Sequence, residues 1–216
     1  MGNIDENYFK MPTSGKLNSI EEIIGNNETL LLKQKPKKKA YIFNSIVKFI
    51  PFALIWLAFD SFFIIAVAKS DMPSVVWAFI VPFFAVHLAP VWICIANILK
   101  AGKAWKNLEY AFTDRRIIIR SGVIGINIVN VYYADIKGVN MRIGLFDRMF
   151  KVGDIYISCN EQSQVLYDLE NPYFILDRIQ KIVLDLKTDV YFPNDLRPET
   201  NSGYKTKYIH ENDDKG

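Results

Sequence analysis

Half of the 216 residues are apolar and 23% are charged, a mixture that argues against one uniform globular core and suggests separate apolar and polar stretches. The net charge of +3 is too small to indicate a partner by itself. The chain has two cysteines, Cys94 in an apolar run and Cys159 at the end of a strand-like run. Their placement excludes a disulfide framework and fits a reducing compartment.

The chain begins with a polar segment and continues with a basic one. Residues 1–27 form a polar leader, and residues 28–45 form a basic segment that holds most of the lysines before the first apolar run. Within the basic segment, Glu28–Gln34 (ETLLLKQ) could supply the first strand of the downstream domain if it folds back onto it.

Two long apolar runs then predict a transmembrane helical hairpin over residues 46–99. The runs cover residues 46–68 and 75–99, and a bilayer core about 30 Å thick needs roughly 20 helical residues. So short a chain could not cover two helices that are apolar all round, which disfavours two buried helices in a soluble core. The link at residues 69–74 is short enough to force an antiparallel pair.

Lysines set the expected topology of this hairpin. The first run is preceded by five lysines within residues 33–39 and begins with Lys48 near its edge, and the second run is followed by Lys100, Lys103 and Lys106. The short link offers one Lys balanced by one Asp. The positive-inside rule therefore predicts a multi-pass protein of the bacterial plasma membrane with both termini in the cytoplasm.

Both apolar runs contain polar residues and prolines, which are unusual inside the hydrocarbon core of a bilayer. If the hairpin turns near Asp71, His87 lies level with Trp56, one helical turn or about 6 Å from Asp60. A buried carboxylate is costly, so Asp60 should be neutral, paired or near water. We favour an interhelical hydrogen bond between Asp60 and His87, and a proton-linked or ion-linked site is the alternative. Three prolines could also kink the helices: Pro51, Pro82 and Pro90.

From residue 108 the sequence changes to short runs of β-favouring residues separated by turn residues. The expected strands are 109–113, 116–120, 127–133, 136–143, 154–158 and 165–169. Their spacing of about ten residues predicts an antiparallel meander.

A helix should close this domain, which we place at residues 108–187. Asn171 and Pro172 are a favourable helix start, and an apolar stripe follows at helical spacing. The stripe consists of Ile175, Ile179, Ile182 and Leu186. Residues 188–216, rich in Asn, Asp, Lys, Pro and Gly, are expected to be disordered.

Several stretches in this region together resemble the bacterial PH-domain family of membrane-anchored proteins, formerly a family of unknown function. They are LEYAFTDRRIIIRSG, a strand ending in YYADIKGV, IGLFDRMFKVGDIYI and the helix from Asn171. Members of that family have a strand that begins with the motif y-x-l-T-x-x-R. The matching residues here are YAFTDRR at positions 110–116. The leader GNNETLLLKQKPK and the hairpin before the domain are similar to the family's usual arrangement. The resemblance implies an α+β membrane protein with a bent seven-stranded PH-like sheet and a C-terminal helix. It does not imply an enzyme, and it carries over no molecular activity.

The sequence contains no recognisable catalytic or cofactor motif. Neither His87 nor His210 has partners at metal-ligand spacing, and nucleotide-binding glycine loops and nucleophile elbows are absent. We therefore expect no enzyme activity, no cofactor and no metal site.

Basic residues offer one further type of contact. Five of them could bind lipid headgroups: Lys37, Lys38, Lys39, Arg115 and Arg116. The simpler interpretation is that the lysines only set topology. Nucleic acid is not an expected partner, because the basic cluster lies at the bilayer surface and lacks interleaved aromatic residues.

The sequence thus predicts a non-enzymatic binding or scaffold module, held at the cytoplasmic face of a bacterial membrane, with a protein partner or a second copy of itself. Two alternatives stay open. One is a small transport or ion-linked component that uses Asp60 and His87, and the other is a sensor of anionic lipid.

Overall fold

The computed structural model describes residues 20–24, 28–160 and 162–191, with side chains up to residue 188. Its helices are α1 (Lys38–Ile46), α2 (Ile50–Ala68), α3 (Ser74–His87), α4 (Ala89–Asn107), α5 (Leu145–Phe150) and α6 (Pro172–Tyr191), with short 3₁₀ turns at Ile20–Ile23 and Tyr133–Asp135. Its strands are β1 (Leu30–Gln34), β2 (Glu109–Thr113), β3 (Arg116–Ser121), β4 (Asn127–Tyr132), β5 (Ile136–Arg142), β6 (Val152–Cys159) and β7 (Gln164–Glu170). Most of the predicted leader and the predicted disorder of the tail from residue 192 lie outside the described residues.

Helices α2, α3 and α4 form an apolar hairpin. Among the described residues, α2 is long and apolar enough to cross a membrane, and α3 with α4 could make a second crossing if the bent pair counts as one span. The second apolar run, residues 75–99, is not one straight helix, in keeping with the kinks that its prolines predict. Helix α3 ends at His87, and α4 begins at Ala89 at an angle of 48° to it.

Pro90 explains this break. It has no N–H to continue the hydrogen bonding of α3, so carbonyl groups at the end of α3 need other donors. Two indoles supply them: Trp92 Nε1 donates to Ala85 O at 3.0 Å, and Trp56 Nε1 donates to His87 O at 2.7 Å. Since Trp56 lies on α2, a carbonyl group at the break in one arm of the hairpin accepts its hydrogen bond from the other arm.

The first predicted run is also divided. Its residue Ile46 ends α1, and α2 begins at Ile50 after a turn. Pro51 lies in the first turn of α2, where a missing backbone donor has no cost, so it begins a helix rather than kinking one. Pro82 lies inside α3.

Helix α1 and the last turns of α4 form a two-helix stalk between the hairpin and the sheets. Trp105 Nε1 donates to Pro36 O at 2.7 Å, which sets the start of α1 beside the end of α4. Ala40 on α1 and Ala101 on α4 are both buried. These small side chains allow the two helices to approach closely.

The seven strands form two antiparallel sheets, ordered β1-β2-β3-β4 and β5-β6-β7. The upstream segment contributes β1, whose Gln34 is opposite Tyr110 of β2. Helix α6 packs on β5 and β6 and buries Ile175, Ile179 and Val183 in the core between the sheets. It continues to Tyr191, past the predicted domain end at residue 187.

A short helix that the sequence analysis did not predict, α5, joins β5 to β6. The backbone N–H of Gly144 donates to Asp147 Oδ2 at 2.7 Å, which holds the first turn. Lys151 ends the helix with a left-handed φ of 57°. Phe43 of α1 packs on two rings of α5, with centroid distances of 5.0 Å to Phe146 and 5.4 Å to Phe150.

Candidate functional site

The YAFTDRR motif at residues 110–116 closes the turn between β2 and β3 and ties it to the segment before β1. Thr113 Oγ1 accepts the backbone N–H groups of Arg115 at 3.2 Å and Arg116 at 3.0 Å. Arg116 forms a fork on Glu28, with Nε to Oε1 at 3.0 Å and Nη2 to Oε2 at 2.8 Å. Both charged side chains are largely buried, so the pair holds the turn in place rather than facing solvent.

The first residue of the motif joins the two sheets. Tyr110 is fully buried on β2, and its hydroxyl oxygen accepts the backbone N–H of Tyr167 on β7 at 2.9 Å. Burial raises the pKa of the Tyr110 hydroxyl well above its ordinary value. The residues that carry the family resemblance therefore have structural partners inside the fold.

The five basic residues predicted to contact headgroups occupy two separate places. Lys37, Lys38 and Lys39 lie at the start of α1, beside the end of α4. Lys37 Nζ pairs with Glu170 Oε1 at 2.9 Å, and Lys38 Nζ lies 5.3 Å from the centre of the Trp105 ring. Arg115 and Arg116 lie at the turn between β2 and β3, at the end of β2 away from α4.

Asp60 and His87 contact each other in the apolar hairpin. Asp60 Oδ1 lies 2.7 Å from His87 Nδ1, and Asp60 is fully buried. The imidazole also stacks on Phe83, with 5.1 Å between ring centres, and lies 5.1 Å from the Trp56 ring. Since His87 is the last residue of α3, this contact holds the break between α3 and α4 against α2.

A second polar cluster, missed by the sequence analysis, lies between α1 and the β5–β7 sheet. Asn44 Nδ2 donates to Asp168 Oδ1 at 2.7 Å and to Asp147 Oδ1 at 2.8 Å. Asp154 Oδ1 in turn accepts the backbone N–H of Asp168 at 2.9 Å, and the backbone N–H of Lys37 donates to Asp168 O, also at 2.9 Å. These hydrogen bonds therefore connect α1 and α5 with strands β6 and β7.

Electrostatics in this cluster favour a bound proton. Burial raises the pKa of Asp168 to about 7, and the nearby Asp154 carboxylate adds to the effect, while the hydrogen bond from Asn44 opposes it. Burial likewise raises the pKa of Asp154, with repulsion from Asp147 as a smaller cause. Asp168 also has a left-handed φ of 50°, which Asp adopts more readily than most residues.

These carboxylates line an open cleft of about 690 Å³ at the side of α1. Basic groups on its wall are Lys48 and Arg142, and apolar groups include Val47 and Leu145. In the described part of the chain, no set of His, Cys, Asp and Glu side chains is arranged to hold a metal ion. The lining of the cleft therefore combines acidic, basic and apolar groups.

The sequence carries only weak local signals for this site. Gly144 three residues before Asp147 is the spacing of a capped helix start, and it indicates α5. Nothing local indicated that Asn44 approaches Asp168, because that contact depends on α1 folding back against the sheet.

Comparisons with known proteins agree with this architecture. A family model described as "Bacterial PH domain" matches residues 52–187, a range that includes most of the hairpin as well as β2–β7 and most of α6. No curated protein matches the chain.

One solved structure matches part of the chain: the crystal structure of a DUF1696 family protein with a pleckstrin-homology domain from Shewanella loihica PV-4. It has 22% identity, with 34% of this chain and 68% of that chain covered and a TM-score of 0.28. The family match covers well over half of the residues, from inside α2 to the body of α6. This chain therefore belongs to the bacterial PH domain family.

Proposed function

We propose that this protein is a membrane-anchored, non-enzymatic docking module of a bacterial plasma membrane. Its apolar hairpin inserts in the bilayer, and its stalk holds the PH-like domain at a set height on the cytoplasmic face. The observation that carries the proposal is the firm join between stalk and domain. Asn44 on α1 and the backbone of Lys37, just before α1, both bond to Asp168, and Trp105 on α4 bonds to Pro36.

The surface of the hairpin supports insertion in lipid. Large apolar side chains point outward from both arms, for example Phe62 at 71% exposure on α2 and Phe79 at 76% on α3. An exposed apolar surface of this extent is unfavourable in water and has to be covered. A bilayer covers all faces of the hairpin at once. Its polar groups face inward, as Asp60 does against His87. The matched family range also includes these helices.

The docking role follows from what the site offers. The clusters around Thr113 and Asp168 are engaged in holding elements together, which suits a rigid display platform more than a reaction centre. A partner protein or a second copy of the chain would gain affinity from confinement to the membrane plane, because tethering raises its effective concentration.

Membrane insertion and topology are tested in the full chain by single cysteines. With Cys94 and Cys159 replaced, one cysteine is placed at Asp71 in the link between α2 and α3, or at Lys137 in the domain. An impermeant thiol reagent added to intact spheroplasts should label only the Asp71→Cys variant, and both variants after lysis. Label on Lys137→Cys in intact spheroplasts, or recovery of the chain in the soluble fraction after carbonate washing, would refute the proposal.

Partner docking needs a separate experiment. Crosslinking in native membranes, followed by mass spectrometry, should recover the same partner, or a dimer of the chain, from independent preparations. A chain that remains monomeric and without reproducible crosslinks would contradict the docking role while leaving the anchoring intact.

One observation favours a second candidate function. The other carboxylate oxygen of Asp60, Oδ2, is buried and has no hydrogen-bond partner within the described residues. A buried acid with a spare oxygen beside a histidine suits proton or cation binding in a membrane. Proton flux into liposomes that is lost in Asp60→Asn would favour that function. Flux equal to that of empty liposomes would eliminate it.

A further inference from the structure

We propose that the PH-like domain itself touches the bilayer at two apolar points, α5 next to α1 and the tip of the β3–β4 hairpin next to α4. This inference rests on the proposed anchoring of the hairpin. It adds a second, reversible contact between domain and lipid that would fix the tilt of the domain as well as its height.

The two points hold the most exposed large apolar side chains in the described part of the chain. Ile124, at the β3–β4 tip, is 100% exposed, and Leu145, on α5, is 80% exposed. Met149 lies one helical turn from Leu145 on the same face of α5 and is 61% exposed. Ile126 extends the apolar surface of the tip. Two neighbouring exposed apolar side chains at each point, next to the exposed apolar surface of the hairpin, extend an apolar surface of the kind that is covered in use.

Helix α5 lies close to the point where the chain enters the hairpin. Its inner face packs through Phe146 and Phe150 on Phe43, which is one turn before the end of α1. Helix α2 begins at Ile50, seven positions after Phe43, and seven helical steps span about 10 Å. The outer face of α5, with Leu145 and Met149, therefore lies beside the mouth of the hairpin.

The β3–β4 tip lies near the other helix of the stalk, α4. Glu109 begins β2 one residue after the end of α4 and pairs with Arg120, so β3 runs back toward α4. Beyond that pair, Asn107 Nδ2 on the last turn of α4 donates to Gly122 O at 3.1 Å. Ile124 is two residues further along the tip, so it lies alongside the stalk rather than at the distal end of the sheet.

Basic groups surround both points, and an anionic bilayer surface complements them. Lys48, Arg142, Arg148 and Lys151 are exposed around α5, and Lys103 and Lys106 are exposed on α4 near the tip. In the same stretches Asp147 is buried under Asn44 and Gly144. An apolar face ringed by Lys and Arg is the pattern of segments that lie in the interface of a membrane. Continuity with the apolar hairpin selects lipid, rather than a protein, as the occupant.

The test uses the full chain in vesicles of phosphatidylcholine and phosphatidylglycerol that carry nitroxide-labelled lipid. In a background without Cys94 and Cys159, single cysteines carry an environment-sensitive fluorophore. The test positions are Ile124→Cys and Leu145→Cys. The lipid control is Phe62→Cys on α2, and the water control is Lys137→Cys. Lys137 is the second residue of β5, about 17 Å along the strand from the Arg142 end that adjoins α5.

The expected result is blue-shifted emission and several-fold quenching at positions 62, 124 and 145, with none at 137. Quenching at 62 alone would overturn this inference while leaving the anchoring in place. Absence of quenching at 62 would overturn the anchoring and this inference together. Blue-shifted emission at 124 and 145 without quenching by lipid nitroxides would mean that protein covers these points, and would also overturn the inference.

Discussion

Asn44 on α1 donates its amide N–H to Asp168 Oδ1 on β7 at 2.7 Å, and the same nitrogen donates to Asp147 Oδ1 on α5 at 2.8 Å. One side chain thus joins the stalk to two elements of the PH-like domain. Both carboxylates are at least nine-tenths buried, so water cannot easily replace the amide.

Replacement of Asn44 by Ala should loosen the join between stalk and domain. The loss leaves two buried carboxylates without their shared donor, and we expect a cost of about 1–3 kcal/mol in the free energy of unfolding. Limited proteolysis of the purified full chain should cut faster near residues 35–49, and the melting temperature in detergent should fall.

Ser45→Ala is the matched control for this variant. Ser45 is next to Asn44 and exposed, and its hydroxyl donates to Tyr41 O within the same helix. It should melt and resist protease as the parent does. Equal behaviour of the two variants would mean that the Asn44 contacts do not hold the stalk.

The raised pKa of Asp168 predicts that the domain loses stability as pH rises. Between the pKa of an unfolded Asp, near 3.8, and the folded value of about 7, the folded chain retains a proton that the unfolded chain has released. The contribution of Asp168 to the free energy of unfolding is therefore complete below about pH 3.8 and decreases as the pH rises to about 7. Above that value, a buried carboxylate remains next to Asp154 and Asp147.

Asp168→Asn should remove this pH dependence. Asn keeps an oxygen that can accept from Asn44 and tolerates the left-handed φ of 50° at this position. Between pH 5.5 and pH 8.5, thermal unfolding of the parent in detergent should lose on the order of 1–2 kcal/mol more than that of the variant, since one pKa unit corresponds to about 1.4 kcal/mol. Parallel pH curves for the two proteins would show that another group titrates.

The sequence predicted the elements whose signals are local. All six strands after residue 108 occur, because each has its own run of β-favouring residues bounded by turn residues. The helix start at Pro172 follows from proline's fixed φ. The contact between Asp60 and His87 was foreseeable because a short link fixes the register of an antiparallel pair.

The features that were missed depend on tertiary contacts. Helix α1 was hidden in a basic segment, and its position depends on Trp105 and Asn44, which bond to groups far away in the chain. The break at His87 could not be distinguished from a kink, because whether Pro90 bends or divides a helix depends on donors such as Trp56 on the facing arm. Helix α5 was too short to show a helical period.

Tyr110→Phe should weaken the join between the two sheets. The substitution removes only the hydroxyl oxygen that accepts the N–H of Tyr167, and that N–H has no easy access to water because Tyr110 is fully buried. We expect a loss of about 1–3 kcal/mol in unfolding free energy, measured by thermal melting, and faster amide exchange along β7. Tyr173→Phe, which alters an exposed ring on α6, should have no effect.

Substitutions at Asp60 and His87 distinguish a structural role from an ion-linked one in the hairpin. Asp60 Oδ1 bonds to the imidazole at the last residue of α3, so the pair should stabilise the packing of α2 against the α3–α4 break. Interhelical hydrogen bonds in membranes contribute about 0.6–1.7 kcal/mol, and we expect a coupling energy in this range from a double-mutant cycle of Asp60→Leu and His87→Leu. Thermal melting in detergent gives the cycle, and Phe62→Leu, on the outward face of α2, should change little. If each single variant costs nothing while Asp60→Asn abolishes proton flux, the pair serves transport and not helix packing.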